Sequence, residues 1–151
     1  MTEVQTRIGE HPLEPADAWQ WLAGEQGGAG AVVVFTGQVR DEQGAVHGLF
    51  LEQYPAMSAR ALQQITEEVA GRGLPLRVLA WHRTGWMAPG ETIVAVGVSA
   101  AHRGEAFEAC ECLMDRVKTE VPLWKKVRDP QGGEHWVEAR ERDQEAAARW
   151  W

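Results

Sequence analysis

The residues best suited to chemistry in this chain are basic, and they are gathered. All three lysines, Lys118, Lys125 and Lys126, lie within nine residues of one another, whereas the other twelve basic residues are arginines spread along the chain. Lysine offers a compact ammonium that can be desolvated and can exchange a proton, which arginine cannot readily do. Segment 118–128, KTEVPLWKKVR, carries four basic residues against one acidic. It is interrupted by Val121, Pro122, Leu123 and Trp124, so its lysines are expected to flank a buried anchor and wall a pocket rather than form a solvated tail.

A second candidate is His102-Arg103, where a strand is expected to give way to a helix. Backbone N–H groups at a helix start carry partial positive charge, and an adjacent arginine adds a bidentate grip on phosphate or carboxylate. The alternative is that His102 only caps the helix and Arg103 is solvated. Arg40 and Arg140 each follow an expected strand, a position from which loops commonly present ligands. The similar pair His82-Arg83 ends a strand with no helix behind it and reads as structural. No Ser-His-Asp order and no metal-ligand spacing stands out, so neither a metal nor a cofactor is expected. The residues alone point to a small anionic, phosphorylated ligand held by Arg40, His102, Arg103, Lys118 and Lys125, with a lysine for proton transfer or charge stabilisation.

Composition narrows the setting. With 151 residues, 44% hydrophobic, the chain is the size of one ordinary domain with a sizeable core. Its net charge of -7 argues against nucleic acid and anionic membranes as partners, since both are bound through clustered cations. Residues 1–10 lack a signal-peptide pattern and no apolar run approaches the ~20 residues of a membrane span, so the expected compartment is the cytoplasm. Cys110 and Cys112 would sit about 200° apart on a helix, too divergent for a strain-free disulfide. Cys110 is expected in the core.

The elements that must position these residues follow from periodicity. β-Branched runs predict strands over 31–39 and 47–54, and apolar spacing predicts a helix from Met57, through Ala61, Leu62, Ile65 and Val69, to about Gly71. Strands are expected over 76–82 and 91–98, with turn residues over 84–90 between them. A second helix follows Ser99, with Ala106, Phe107, Cys110, Leu113, Met114 and Val117 as its apolar stripe, and Pro122 ends it. A turn at 129–133, a strand over 135–139 and a helical end closing on Trp150 and Trp151 complete the chain. The glycine-rich run 24–30 precedes a strand, which is the wrong order for a phosphate loop. The order does not alternate strictly, so an α+β fold with a mainly antiparallel sheet and helices on one side is expected.

Read together, FTGQVR (35–40), LEQYPAM (51–57), WHRTGWMAPGE (81–91), SAAHRGEAFEAC (99–110), MDRVKTEVPLWKK (114–126) and WVEAR (136–140) resemble the large, catalytic subunit of molybdopterin synthase. The resemblance runs in order from about residue 29 to the C-terminus, leaving 1–28 as a variable segment of a single domain, 1–151. It implies an α/β-hammerhead fold and a sulfurtransferase of molybdenum cofactor biosynthesis, which converts cyclic pyranopterin monophosphate to molybdopterin. Sulfur would arrive as a thiocarboxylate on the C-terminal Gly-Gly of a small ubiquitin-like carrier subunit, in a heterotetramer built on a homodimer of large subunits. Lys118 matches the catalytic lysine and Lys125 the second pocket lysine. Arg40, His102 and Arg103 match substrate-binding positions, with Lys126 flanking them, and Arg140 matches an arginine that reaches the neighbouring subunit's site. Two positions depart from the family pattern: Gln38 stands where a basic residue is common, and Val127 where glutamate is usual. Because the partner brings the sulfur, neither cysteine is needed as a persulfide.

Overall fold

A computed structural model of the chain describes residues 2–24 and 27–137. Arg140, the end of the strand expected over 135–139, and the closing Trp150 and Trp151 lie outside the described residues. The described chain runs β1 (Glu3–Gly9), α1 (Pro15–Ala23), β2 (Ala31–Gln38), β3 (Gly48–Gln53), α2 (Met57–Ala70), β4 (Pro75–Arg83), β5 (Gly85–Met87), β6 (Thr92–Ala100), α3 (Arg103–Glu120), β7 (Leu123–Arg128) and β8 (Glu134–Trp136). The strands form two four-stranded sheets. The first is ordered β1-β4-β6-β2, with β1 parallel to β4 and the other pairs antiparallel. The second, β5-β3-β7-β8, is antiparallel throughout. The mainly antiparallel α+β expectation therefore holds.

The helices do not all lie on one side, contrary to expectation. Successive side chains of a strand face opposite ways, and in β4 Val78 and Ala80 pack among residues of α2 and α3 while Leu79 and Trp81 pack among those of α1. β6 does the same, with Val94, Val96 and Val98 toward α2 and α3 and Ala95 toward α1. A strand buried on both faces reads as a continuous apolar run, and that is why its sequence did not reveal the second layer. Gly97 makes the close approach of α1 possible: a Cβ there would stand 2.2 Å from Leu22 Cδ1.

Three further elements, β1, β5 and β7, depart from the expected order; β7 forms over Leu123–Arg128, where the sequence suggested only an apolar anchor between lysines. β1 carries only Val4 and Ile8 as apolar anchors between polar residues, and it docks as an edge strand beside β4. β5 occupies part of the span expected as a turn. Gly85 takes a φ of +85°, a conformation that disfavours residues with a Cβ, and it lets the chain leave the first sheet and enter the second within one residue of β4. Met57 and Phe107, expected in the core, are both more than half exposed. No helix among the described residues is long and apolar enough to cross a membrane.

Candidate active site

Where the two sheets meet, a cavity of about 340 Å³ opens between the end of α3, β7 and the tips of β2, β4 and β6. Lys118 lies in the last turn of α3, one helical turn beyond Met114, and both line this cavity. Val121 and Pro122 then turn the chain directly into β7, so Lys125 returns to the same space from the opposite wall. The turn is anchored by Ser58, a fully buried residue at the start of α2. Its hydroxyl accepts the Tyr54 N–H at 2.8 Å and donates to the Pro122 carbonyl.

The neighbouring lysines Lys125 and Lys126 go opposite ways because β7 alternates. Leu123 and Lys125 face the cavity, and Val127 packs beside Leu49 and Leu51 in a small core of the second sheet. Trp124, Lys126 and Arg128 occupy the other face. There the Lys126 ammonium lies 4.4 Å from the Trp136 ring centroid and pairs with Glu134 at 3.5 Å, and the Arg128 guanidinium stacks 4.0 Å over Trp86. The structure thus brings Lys118 and Lys125 together and sets Lys126 on the reverse side of the sheet.

The remaining candidates stand apart from this cavity within one chain. His102 and Arg103 are exposed at the start of α3, where Glu105 accepts the His102 N–H at 3.2 Å. At about 1.5 Å per residue, Arg103 and Lys118 are roughly 22 Å apart along the helix axis. Arg40 is exposed just beyond β2, two residues past Gln38, which does line the cavity. Gln38 therefore stands in the pocket wall, while Val127 packs in the small core of the second sheet.

One residue of the cavity wall was expected to be purely structural. His82, 7% exposed, sits on the same face of β4 as Val78 and Ala80 and reaches the cavity at the end of the strand. Burial, chiefly, and the nearby Lys118 ammonium hold its pKa below the ordinary 6.5, although the Arg83 carbonyl works the other way. The strand's own two-residue period contained this placement. Arg83, by contrast, is structural as expected: it is 8% exposed and pairs with Glu91 at 2.8 Å. The Glu91 carboxyl is held below its usual range by the Ala88 N–H first and by Arg83 second.

Both cysteines are buried thiols. Cys110 lies against the Val96 carbonyl at 3.8 Å, and desolvation pushes each thiol up to about 11. Neither is poised as a nucleophile.

Two ammonium groups on otherwise largely apolar walls, with no Asp or Glu lining the cavity among the described residues, define a site that holds a small anion and stabilises negative charge as it forms. That chemistry suits a group-transfer enzyme with an anionic substrate. The chain belongs to the MoaE protein family, whose model matches residues 8–120. It is 45% identical over 152 residues to the molybdopterin synthase catalytic subunits of Pasteurella multocida and of Escherichia coli, covering 99% of this chain and 100% of each relative. Among solved structures, molybdopterin cofactor biosynthesis protein E from Burkholderia multivorans superposes with a TM-score of 0.82 at 38% identity, covering 98% of this chain and 97% of that one. Molybdopterin synthase from Staphylococcus aureus gives 0.78 at 31% identity, covering 87% and 96%.

Proposed function

We propose that this chain is the catalytic subunit of a molybdopterin synthase, working in the cytoplasm. In this reading it transfers two sulfurs to cyclic pyranopterin monophosphate from the thiocarboxylated C-terminus of a small sulfur-carrier subunit ending in Gly-Gly. The observation that carries the reading is the convergence of Lys118 and Lys125 on one cavity at the junction of the sheets. Both reactants are anionic at the positions that must meet there, and a narrow glycine tail suits a cavity of this size. As the thiocarboxylate sulfur bonds to the pterin side chain, and again when the resulting acyl–sulfur link is cut, charge develops on oxygen. An ammonium placed there stabilises it. Lys118 takes this role at the exposed rim, where an incoming tail would cover it, and Lys125 holds substrate from the inner wall.

The assembly is a homodimer of large subunits with a carrier at each end. The roughly 22 Å between Arg103 and Lys118 favours this arrangement, since a ligand of pterin size cannot bridge that distance within one chain. A second copy that brings its His102, Arg103 and Arg140 toward the lysine cavity makes one complete site, with Arg40 and Lys126 at its margins.

The test is reconstitution. The protein, a thiocarboxylated carrier and cyclic pyranopterin monophosphate should yield the dithiolene product with wild type, and Lys118→Ala and Lys118→Arg should each lose most of it. Equal product from wild type and Lys118→Ala would remove Lys118 from the chemistry. Tight carrier binding without product from wild type would leave only a docking module.

A further inference from the structure

His82 differs from every other polar group that lines the lysine cavity. Its Nδ1 lies 2.9 Å from the Arg83 carbonyl oxygen. A carbonyl can only accept, so Nδ1 carries the ring proton and Nε2 is left with its lone pair. The side chain is held by strand geometry, with Ile8 of β1 and Val94 of β6 on either side in the sheet. The charges that face it are the ammoniums of Lys118 from α3 and Lys125 from β7 across the cavity. Arg83 turns to the opposite face and pairs with Glu91, and Arg7 of β1 stacks over Trp81 on that same face. Burial and the Lys118 charge both favour the uncharged ring, so at neutral pH it is a base ready to take a proton.

Among the described residues, the other polar side chains that line the cavity are Gln38, Thr119, Lys118 and Lys125. An amide and a hydroxyl are not bases near neutral pH, and an ammonium donates. Sulfur delivery from a thiocarboxylate nevertheless requires a base. Once the sulfur has bonded to the pterin side chain, the carrier is tethered through an acyl–sulfur link, and water must cut that link to release it.

We propose that His82 is the general base of this hydrolysis, an inference that rests on the sulfur-transfer reading above. Nε2 takes a proton from water as the water oxygen bonds to the acyl carbon. The carbon–sulfur bond then breaks, and the sulfur keeps the electron pair and remains on the pterin as a thiolate. The carrier leaves as a carboxylic acid that gives the water's second proton to solvent and becomes a carboxylate, and the imidazolium returns the first proton to solvent. No oxidant or reductant enters. Lys118 stabilises the oxyanion formed between the two bond changes.

The test is a single turnover of the assembled complex with thiocarboxylated carrier and cyclic pyranopterin monophosphate, followed by intact-mass measurement of the carrier–substrate adduct. His82→Gln and His82→Asn should form the adduct within about threefold of the wild-type rate. They should then release it about 10²–10⁴-fold more slowly, the usual worth of a positioned base. Adduct decay in wild type should fall on the acid side, and that limb should vanish in both variants. Hydroxylamine, which attacks a thioester without a base, should release the carrier equally from wild type and variants. A purely structural role would produce neither the lost limb nor the equal release. Decay at the wild-type rate with the wild-type acid limb in either folded variant would overturn the proposal, as would loss of adduct formation in both. Failure of wild type itself to form an adduct would instead refute the sulfur-transfer reading.

Discussion

Lys125 and Lys126 are the same residue type, adjacent in sequence, and the structure assigns them opposite fates. Replacing each by methionine keeps most of the stem and removes only the charge. An ammonium about 4 Å from an anionic oxygen of the bound substrate, at the effective dielectric of about 20 that suits a partly buried site, is worth about 4 kcal/mol. Since 1.36 kcal/mol is tenfold in rate, and the cavity is open on one side, Lys125→Met should lower kcat/KM by about 10²–10³-fold. Its fold should be unaffected, because Lys125 leaves the small core to Leu49, Leu51 and Val127. Lys126→Met should instead keep the activity within about threefold. It should lose a cation–π contact at 4.4 Å and an ion pair at 3.5 Å, both on a partly exposed face, together worth about 1 kcal/mol. In a domain of this length that is a fall of roughly 2–4 °C in Tm. The assays are dithiolene formation at saturating carrier and a thermal melt of each variant. Similar losses of activity in the two variants would refute the assignment of faces, and with it the strand alternation on which the site is built.

Three further outcomes follow from named contacts. Ser58→Ala removes the hydroxyl that joins the Tyr54 N–H to the Pro122 carbonyl in a fully buried position; it should cost about 1–3 kcal/mol in denaturant unfolding and loosen the turn between Lys118 and Lys125. His82 is held below 6.5 in the folded chain, so the unfolded chain binds more protons as the pH drops through that value. Stability should therefore fall on acidification from pH 7.5 to 5.5 by up to about 1.4 kcal/mol more in wild type than in His82→Gln, and level off below the folded-state pKa. The lowered carboxyls Glu68, Glu91 and Asp129 lose their contribution only at more acid pH, as the pH falls below the usual carboxylate range and through their own folded values, so this window isolates the imidazole. The double variant Cys110→Ala, Cys112→Ala should lose about 1–2 kcal/mol of stability from two small cavities yet keep sulfur transfer within a few fold; loss of product in a folded double variant would mean that a thiol takes part.

The legible part of this chain was whatever local pattern determines. The helices α2 and α3, strands β2, β3, β4 and β6, and the burial of Cys110 all followed from periodicity. The clustering of the lysines around apolar residues announced a pocket wall that holds for Lys118 and Lys125, beside Val121 and Leu123, but not for Lys126, and Trp124, expected in the buried anchor, is 49% exposed. Three things were not local. The docking of α1 depends on the absence of a side chain at Gly97 on a distant strand, which no pattern within residues 15–23 records. The seam between the sheets depends on the backbone of Gly85, and its neighbours Pro89 and Gly90 made the whole span look like a turn. His82 looked structural because no helix follows its strand, although His82 and Arg83 point to opposite faces and His82 reaches the cavity while Arg83 pairs with Glu91.

The acidic total also reads differently once the cavity is placed. A net charge of -7 on this chain describes a surface average, and at physiological salt a charge is screened over about 8 Å. Glu105 and Glu108 of α3 lie two or more helical turns from Lys118, and Glu134 is matched by Lys126 and Arg128 on the outer face of the second sheet. No carboxylate lines the cavity among the described residues, so the walls they form present a small anion with the ammoniums of Lys118 and Lys125. On the reading proposed above, this distribution suits a phosphorylated pterin and a thiocarboxylate tail, with the selectivity residing in where Lys118 and Lys125 fall rather than in how many cations the chain carries.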